Sequence, residues 1–153
     1  MPIFVDSSPP DSCIFCKLVA GDIPAAIVHE DEETLAFMDL GQVNPGHVLV
    51  ASKRHAATLL DLSADEAAAM MRAVHRVAKA VMATFAPPGL TVLQANGKEG
   101  DQTVFHFHMH VVPRHANDGI ALSWPRKDPP REVLKAHAHR LRQAMVSPTQ
   151  PAR

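Results

Sequence analysis

Val104-Phe105-His106-Phe107-His108-Met109-His110-Val111-Val112 is the stretch on which the fold of this chain turns. In an extended strand successive side chains point to opposite faces. Phe105, Phe107, Met109 and Val111 therefore share one face, and His106, His108 and His110 share the other. The first set suits a hydrophobic core. The second lines up three imidazoles about 7 Å apart. The plain alternative is a solvated face that happens to be rich in histidine. Chemically, such a row has two uses. It can ligate a transition metal, or it can handle an anion, one neutral imidazole attacking phosphorus while protonated neighbours neutralise the phosphoryl oxygens. An attacking nitrogen needs a free lone pair, so the other ring nitrogen must hold the proton and donate it, typically to a main-chain carbonyl. His108, flanked on both sides, is the candidate nucleophile.

Working outward, the strand at 104–112 ends at Pro113, and a preceding strand at 90–95 enters the loop 96–102. Short strands at 26–29 and 34–38 flank an acidic turn, and a third follows the Asn44-Pro45-Gly46 turn at 47–51. The long helix runs over 63–85. Ser63 and Glu66 form a capping box at its start, and Met70, Met71, Val74, Val77, Ala78, Val81, Met82 and Phe85 keep the spacing of one buried face. A short helix over 13–21 closes at Gly21, and an amphipathic helix covers 130–145. Hairpin-like strand succession with helices set apart predicts an α+β fold, an antiparallel sheet of about five strands with a long helix and a C-terminal helix. A single domain over 13–146 is expected, with flexible tails at 1–12 and 147–153, both rich in Pro and Ser.

The 153 residues are 46% hydrophobic, enough for a core, and the formal charge of −1 argues against a polybasic binder of nucleic acid or membrane. No apolar run approaches the ~18 residues of a membrane span. MPIFVDSSPP has neither the charged nor the apolar region of a secretory signal, so a cytoplasmic location is expected. Ten histidines make the surface charge sensitive to mild acid.

Cys13 and Cys16, the only cysteines, form one C-x-x-C. That spacing supplies half of a tetrahedral zinc site. Two reduced, buried thiols are the structural alternative. A redox pair is disfavoured because the motif does not follow a strand in a βαβ context. Spacing alone does not select the remaining ligands, and histidines are plentiful.

With these residues in view, the chain resembles the histidine-triad (HIT) family of nucleotide hydrolases and transferases. Gln102-Thr103 followed by His106, His108 and His110 matches its signature. CIFCKLVAGDIPA (13–25), LAFMDL (35–40), PGHVLVASKRH (45–55) and QANG (94–97) fall in the family's order. The resemblance implies that His108 attacks the α-phosphorus of a purine nucleotide derivative to give a nucleotidyl-histidine. It places His110 on the phosphate oxygens, the His106 carbonyl on His108, and Gln102 and Thr103 near the leaving group. Asp39 would accept the ribose hydroxyls, and Ile14, Phe15, Ile23, Phe37 and Leu40 would wall the base pocket, with Asn96 and His47 in support. Zinc-containing bacterial-type members imply the metal set Cys13, Cys16, His55 and His106, a structural site. No organic cofactor is implied, and the family's members are homodimers with sheets joined across the interface. Two departures stand out: Asp101 where the family usually has glycine, and Thr103 where the phosphoramidase branch usually has serine. A zinc-stapled nucleotide-binding protein without turnover is the alternative reading.

Overall fold

The computed structural model describes residues 5–146. Five strands form one antiparallel sheet: β1 (Ile27–Glu30), β2 (Thr34–Met38), β3 (Val48–Ser52), β4 (Gly89–Leu93) and β5 (His108–Arg114), in the order β1-β2-β3-β5-β4. The helices are α1 (Ile14–Ala20), α2 (Ala64–Phe85) and α3 (Arg131–Val146). The expected α+β class and strand number hold. The chain divides after Asp118 into two compact units, where one domain over 13–146 was expected. Residues 119–130 carry no regular element, and Pro125, Pro129 and Pro130 remove main-chain donors from that stretch.

In the first unit the period-2 rule sorts the sheet into two cores. Ala36, Val48, Val50, Phe107, Met109 and Val111 pack with Met70, Ala73, Val74, Val77 and Val81 of α2. Leu35, Phe37, Leu49 and Ala51 face the other way and pack with Cys13, Phe15 and Val104. Both groups of the capping box at Ser63 and Glu66 are made, as expected. The buried face of α2 is narrower than the sequence pattern suggests. Met71, Met82 and Phe85 are exposed, and Ala69 and Ala73 take the sheet-facing positions instead. Small residues let the helix approach the sheet closely, which turns the larger ones outward.

The histidine-bearing strand is also shorter than expected. It starts at His108 and runs through Pro113 to Arg114. Residues 105–107 leave the ladder because Phe107 N–H donates to Ala56 O (2.6 Å) and Phe105 N–H to Asp6 O (2.7 Å). Pro113 is tolerated because pairing with β3 ends at Val48–Val111, so no β3 carbonyl stands opposite the donor that proline lacks. The stretch expected to be a loose tail is anchored at Asp6, which is buried and forms a parallel bridge with Val104. Residues 1–4 and 147–153, the rest of the expected tails, lie outside the described residues.

In the second unit α3 presents only exposed or half-buried side chains. Among the described residues no helix is long and apolar enough to cross a membrane.

Candidate active site

A cleft of about 430 Å³ opens on the α1 side of the sheet. Ile14 and Phe15 of α1, Phe37 of β2, Leu40 and Asp39 beyond it, Thr103, His108 and His110 all line it. Their convergence follows from strand alternation. Phe37 pairs with Leu49, and Leu49 with His110 across β3 and β5, so all three project from the same face. The Phe15 ring stands edge-on to both Phe37 (centroids 5.4 Å) and His108 (5.1 Å). Leu18, Pro24, Ala25, Ala26, Met38, Leu49 and Val104 complete the walls. Sequence reasoning did not single these out, because small apolar side chains carry no chemical mark. Alternation in β3 could have placed Leu49.

His108 donates through Nδ1 to the main-chain oxygen of His106 at 2.6 Å. That bond assigns the proton to Nδ1 and leaves the Nε2 lone pair free, the arrangement a nucleophile requires. Burial holds His108 below the ordinary histidine pKa, only partly offset by the His106 carbonyl and Asp39. The ring is therefore neutral at pH 7.

His47 Nε2 lies 2.9 Å from His110 Nδ1 and 3.5 Å from Asp39 Oδ2. A carboxylate only accepts, so the shared proton sits on His47 Nε2 and His110 Nδ1 is an acceptor. This leaves the His110 proton on Nε2 as a donor. Burial lowers His110 to about 4, reinforced by His108 and His47 and opposed by Asp39. Sequence reasoning gave the neighbours a charge-neutralising part in the case that they are protonated. His110 instead offers a neutral N–H, since a buried cation beside two other imidazoles is too costly.

His106 faces elsewhere. Its Nε2 donates to Ser52 O (2.6 Å), while Nδ1 turns to Cys13 Sγ (3.4 Å) and Cys16 Sγ (3.5 Å). His55 Nδ1 lies 3.2 Å from Cys16 Sγ. The four donor atoms of Cys13, Cys16, His55 and His106 all fall within 4.8 Å of one another. Two thiols and two imidazoles at that spacing fit a closed tetrahedral metal site. The Ser52 bond fixes the His106 tautomer that points its lone pair inward. Without a metal, burial and the neighbouring Cys13 push the Cys16 thiol up to about 11.

Four residues expected at the cleft lie outside its lining: His47, which meets it only through His110 and Asp39, and Gln102, Asn96 and Ile23. Gln102 is buried and fully engaged by main chain: its Nε2 donates to Ala57 O (2.6 Å) and Val104 O (3.0 Å), and its Oε1 accepts from Gly97 N–H (2.7 Å). Asn96 is exposed and ties Leu59 N–H (2.7 Å) to the side chain of Gln94. Ile23 is half-buried and lies outside the cleft lining. Asp101 closes the short turn at Lys98–Gly100 with a left-handed φ of 64°.

The family model for the HIT domain matches residues 20–117. The chain belongs to the HIT family. A similar HIT protein is the adenosine 5'-monophosphoramidase hnt1 of Schizosaccharomyces pombe, 39% identical over 126 residues, covering 82% of this chain and 92% of that one. A HIT family protein of Bacillus subtilis superposes with a TM-score of 0.85 at 39% identity, over 90% of this chain and 99% of that one. A zinc-bound histidine triad family protein of Mycobacterium smegmatis superposes with a TM-score of 0.69 at 36% identity, over 89% and 99% of the two chains. Within this HIT chain the triad histidines are thus split between two tasks, His108 and His110 toward the cleft and His106 toward the thiols.

Proposed function

We propose that this HIT protein is a hydrolase and nucleotidyl transferase acting at the α-phosphate of a purine nucleoside derivative, a phosphoramidate or a dinucleoside polyphosphate. The observation that carries the reading is the bond from His108 Nδ1 to His106 O (2.6 Å), which frees Nε2 in a ring lining the cleft. The base rests among Ile14, Phe15, Phe37 and Leu40, and the Asp39 carboxylate accepts from the ribose hydroxyls. His110 donates its Nε2–H to a non-bridging phosphoryl oxygen. As the bond from His108 Nε2 to phosphorus forms, the bond to the leaving group breaks. The departing group keeps the electron pair, and an amine takes a proton from water. Thr103 lies on the leaving-group side. Water then attacks phosphorus, the nitrogen–phosphorus bond breaks back onto His108, and a proton passes to solvent.

Zinc held by Cys13, Cys16, His55 and His106 supplies a structural clamp between α1 and the segment leading into β5. Kinship with hnt1, named a phosphoramidase, favours an amine leaving group. The zinc-bound relative supports zinc as the metal. The same reading makes the protein a cytoplasmic homodimer without an organic cofactor, nucleic-acid partner or membrane contact. The sheet edge β4, with exposed Val92 and Leu93, offers the joining surface.

Rapid quenching with adenosine phosphoramidate labelled at phosphorus tests the mechanism. Acid-labile label on His108 at the millisecond scale, decaying as AMP appears, is expected. Tight binding with neither label nor AMP would replace the enzyme by the alternative, a zinc-stapled nucleotide-binding protein.

A further inference from the structure

Asp6 reaches two walls of the cleft from outside it. Its main chain zips onto the segment before β5, with Asp6 N–H donating to Thr103 O (2.7 Å) and Phe105 N–H to Asp6 O (2.7 Å). Its carboxylate turns the other way. Oδ2 accepts from Ile14 N–H (3.0 Å) at the start of α1, and Oδ1 accepts from Ser8 N–H (2.9 Å). Cys13, at the N-cap of α1, makes no side-chain capping bond, so Asp6 does for α1 from a distance what a local cap does elsewhere. The side chain is buried. Burial opposes its charge, yet the bonds from Ser8 and Ile14 hold its pKa below the ordinary value.

What Asp6 joins matters. α1 and its N-cap carry Ile14 and Phe15 into the cleft and Cys13 and Cys16 into the metal set. The segment it is zipped to carries Thr103 and Val104 into the cleft and leads directly to His106. Nothing else in the hydrogen-bond pattern of the described residues ties the first turn of α1 to residues 103–105. We propose that Asp6 is a positioning residue: it sets the separation of α1 from the Thr103–Phe105 segment, and thereby the width of the nucleotide cleft and the spacing of the thiols from His106. The cleft half of this inference rests on the nucleotide reading above. The metal half does not.

Removing the carboxylate in Asp6→Ala leaves the main-chain zipper and frees α1. Substitution of groups that orient metal ligands typically costs 10- to 100-fold. We therefore expect zinc transfer to a colorimetric chelator to be about 10-fold faster, and the Kd for AMP to rise about 10-fold, with kcat changed less than about threefold. Asp6→Asn keeps one oxygen for Ile14 N–H and restores both the zinc transfer rate and the Kd for AMP to within about threefold of wild type. Should Asp6→Ala not fold, Asp6→Glu carries the same expectation, since it keeps the charge but moves it by one methylene. A merely structural Asp6 would lower Tm while leaving zinc release and AMP affinity within twofold of wild type. That result, or an Asn variant no better than Ala, overturns the proposal. AMP affinity and zinc release are read without turnover. An inactive wild type would therefore defeat the hydrolase reading while leaving this test standing.

Discussion

The main-chain oxygen of His106 lies 2.6 Å from Nδ1 of His108, while the ring of His106 lies 3.4 Å from the Cys13 thiol. One residue thus faces the metal set with its side chain and the nucleophile with its backbone. The two sites share this residue, so a perturbation of one is expected to reach the other.

Loss of the metal is therefore expected to lower both stability and turnover. Ligands present at about 1,000 times their Kd stabilise by about 4 kcal/mol, which for a chain of this size is about 10 °C in Tm. Chelator-treated protein should melt about that much lower, and re-addition of zinc should restore turnover. Unchanged melting after verified metal removal would leave Cys13 and Cys16 as ordinary thiols.

His108→Ala should abolish turnover, with kcat down at least about 1,000-fold while the fold persists. The removed ring gives up its hydrogen bond to His106 O and its edge contacts with Phe15 and His110, so Tm should fall by roughly a few degrees while circular dichroism keeps the folded signature. Activity within tenfold of wild type would exclude the covalent route.

Acid should destabilise the protein before its carboxylates titrate. Burial lowers His47 despite Asp39, and His110 to about 4. In the unfolded chain both take up protons near pH 6.5. Between these limits the unfolded state binds more protons, so stability is complete above about pH 6.5 and falls as the pH drops toward 4. Melts of the metal-loaded protein between pH 7.5 and 5 should show the decline, and NMR titration should place the His110 midpoint near 4. A His110 midpoint at 6.5 would contradict the lowering by burial and with it this acid window.

Gly46 adopts φ +95°, and a Cβ there would meet the Phe85 ring at 2.6 Å. Gly46→Ala should cost roughly 1–3 kcal/mol in denaturant unfolding. Part of the loss should return when Phe85→Ala is added, because the clash term disappears while the backbone term stays. Equal losses with and without Phe85 would show that the ring simply moves aside.

A homodimer joined at β4 should give twice the 16.6 kDa chain mass by light scattering. A monomer at micromolar concentration would remove that part of the proposal.

Much of this was legible in the residues. Ser63 and Glu66 mark the start of α2 because a capping box satisfies donors within four residues. The Cys13, Cys16, His55 and His106 set assembled as the family likeness implied. What escaped depends on contacts distant in sequence. The strand was expected from Val104, but the N–H groups of Phe105 and Phe107 go to Asp6 and Ala56 rather than to the ladder. Met71, Met82 and Phe85 fit the helical period yet face outward, since the sheet accepts alanine there. Asp6 sat in a Pro- and Ser-rich stretch whose composition says tail, and only the partner 97 or so residues along the chain, in the segment before β5, reveals its role.

The double duty of His106 offers a route to inhibition that never enters the cleft. Cys16 and His55 are only half-buried, so a thiophilic reagent that strips zinc from the proposed site would slacken the carbonyl beneath the proposed nucleophile. On the proposed hydrolase reading, such a compound would depress maximal velocity from outside the cleft, and raising the substrate concentration would not restore it.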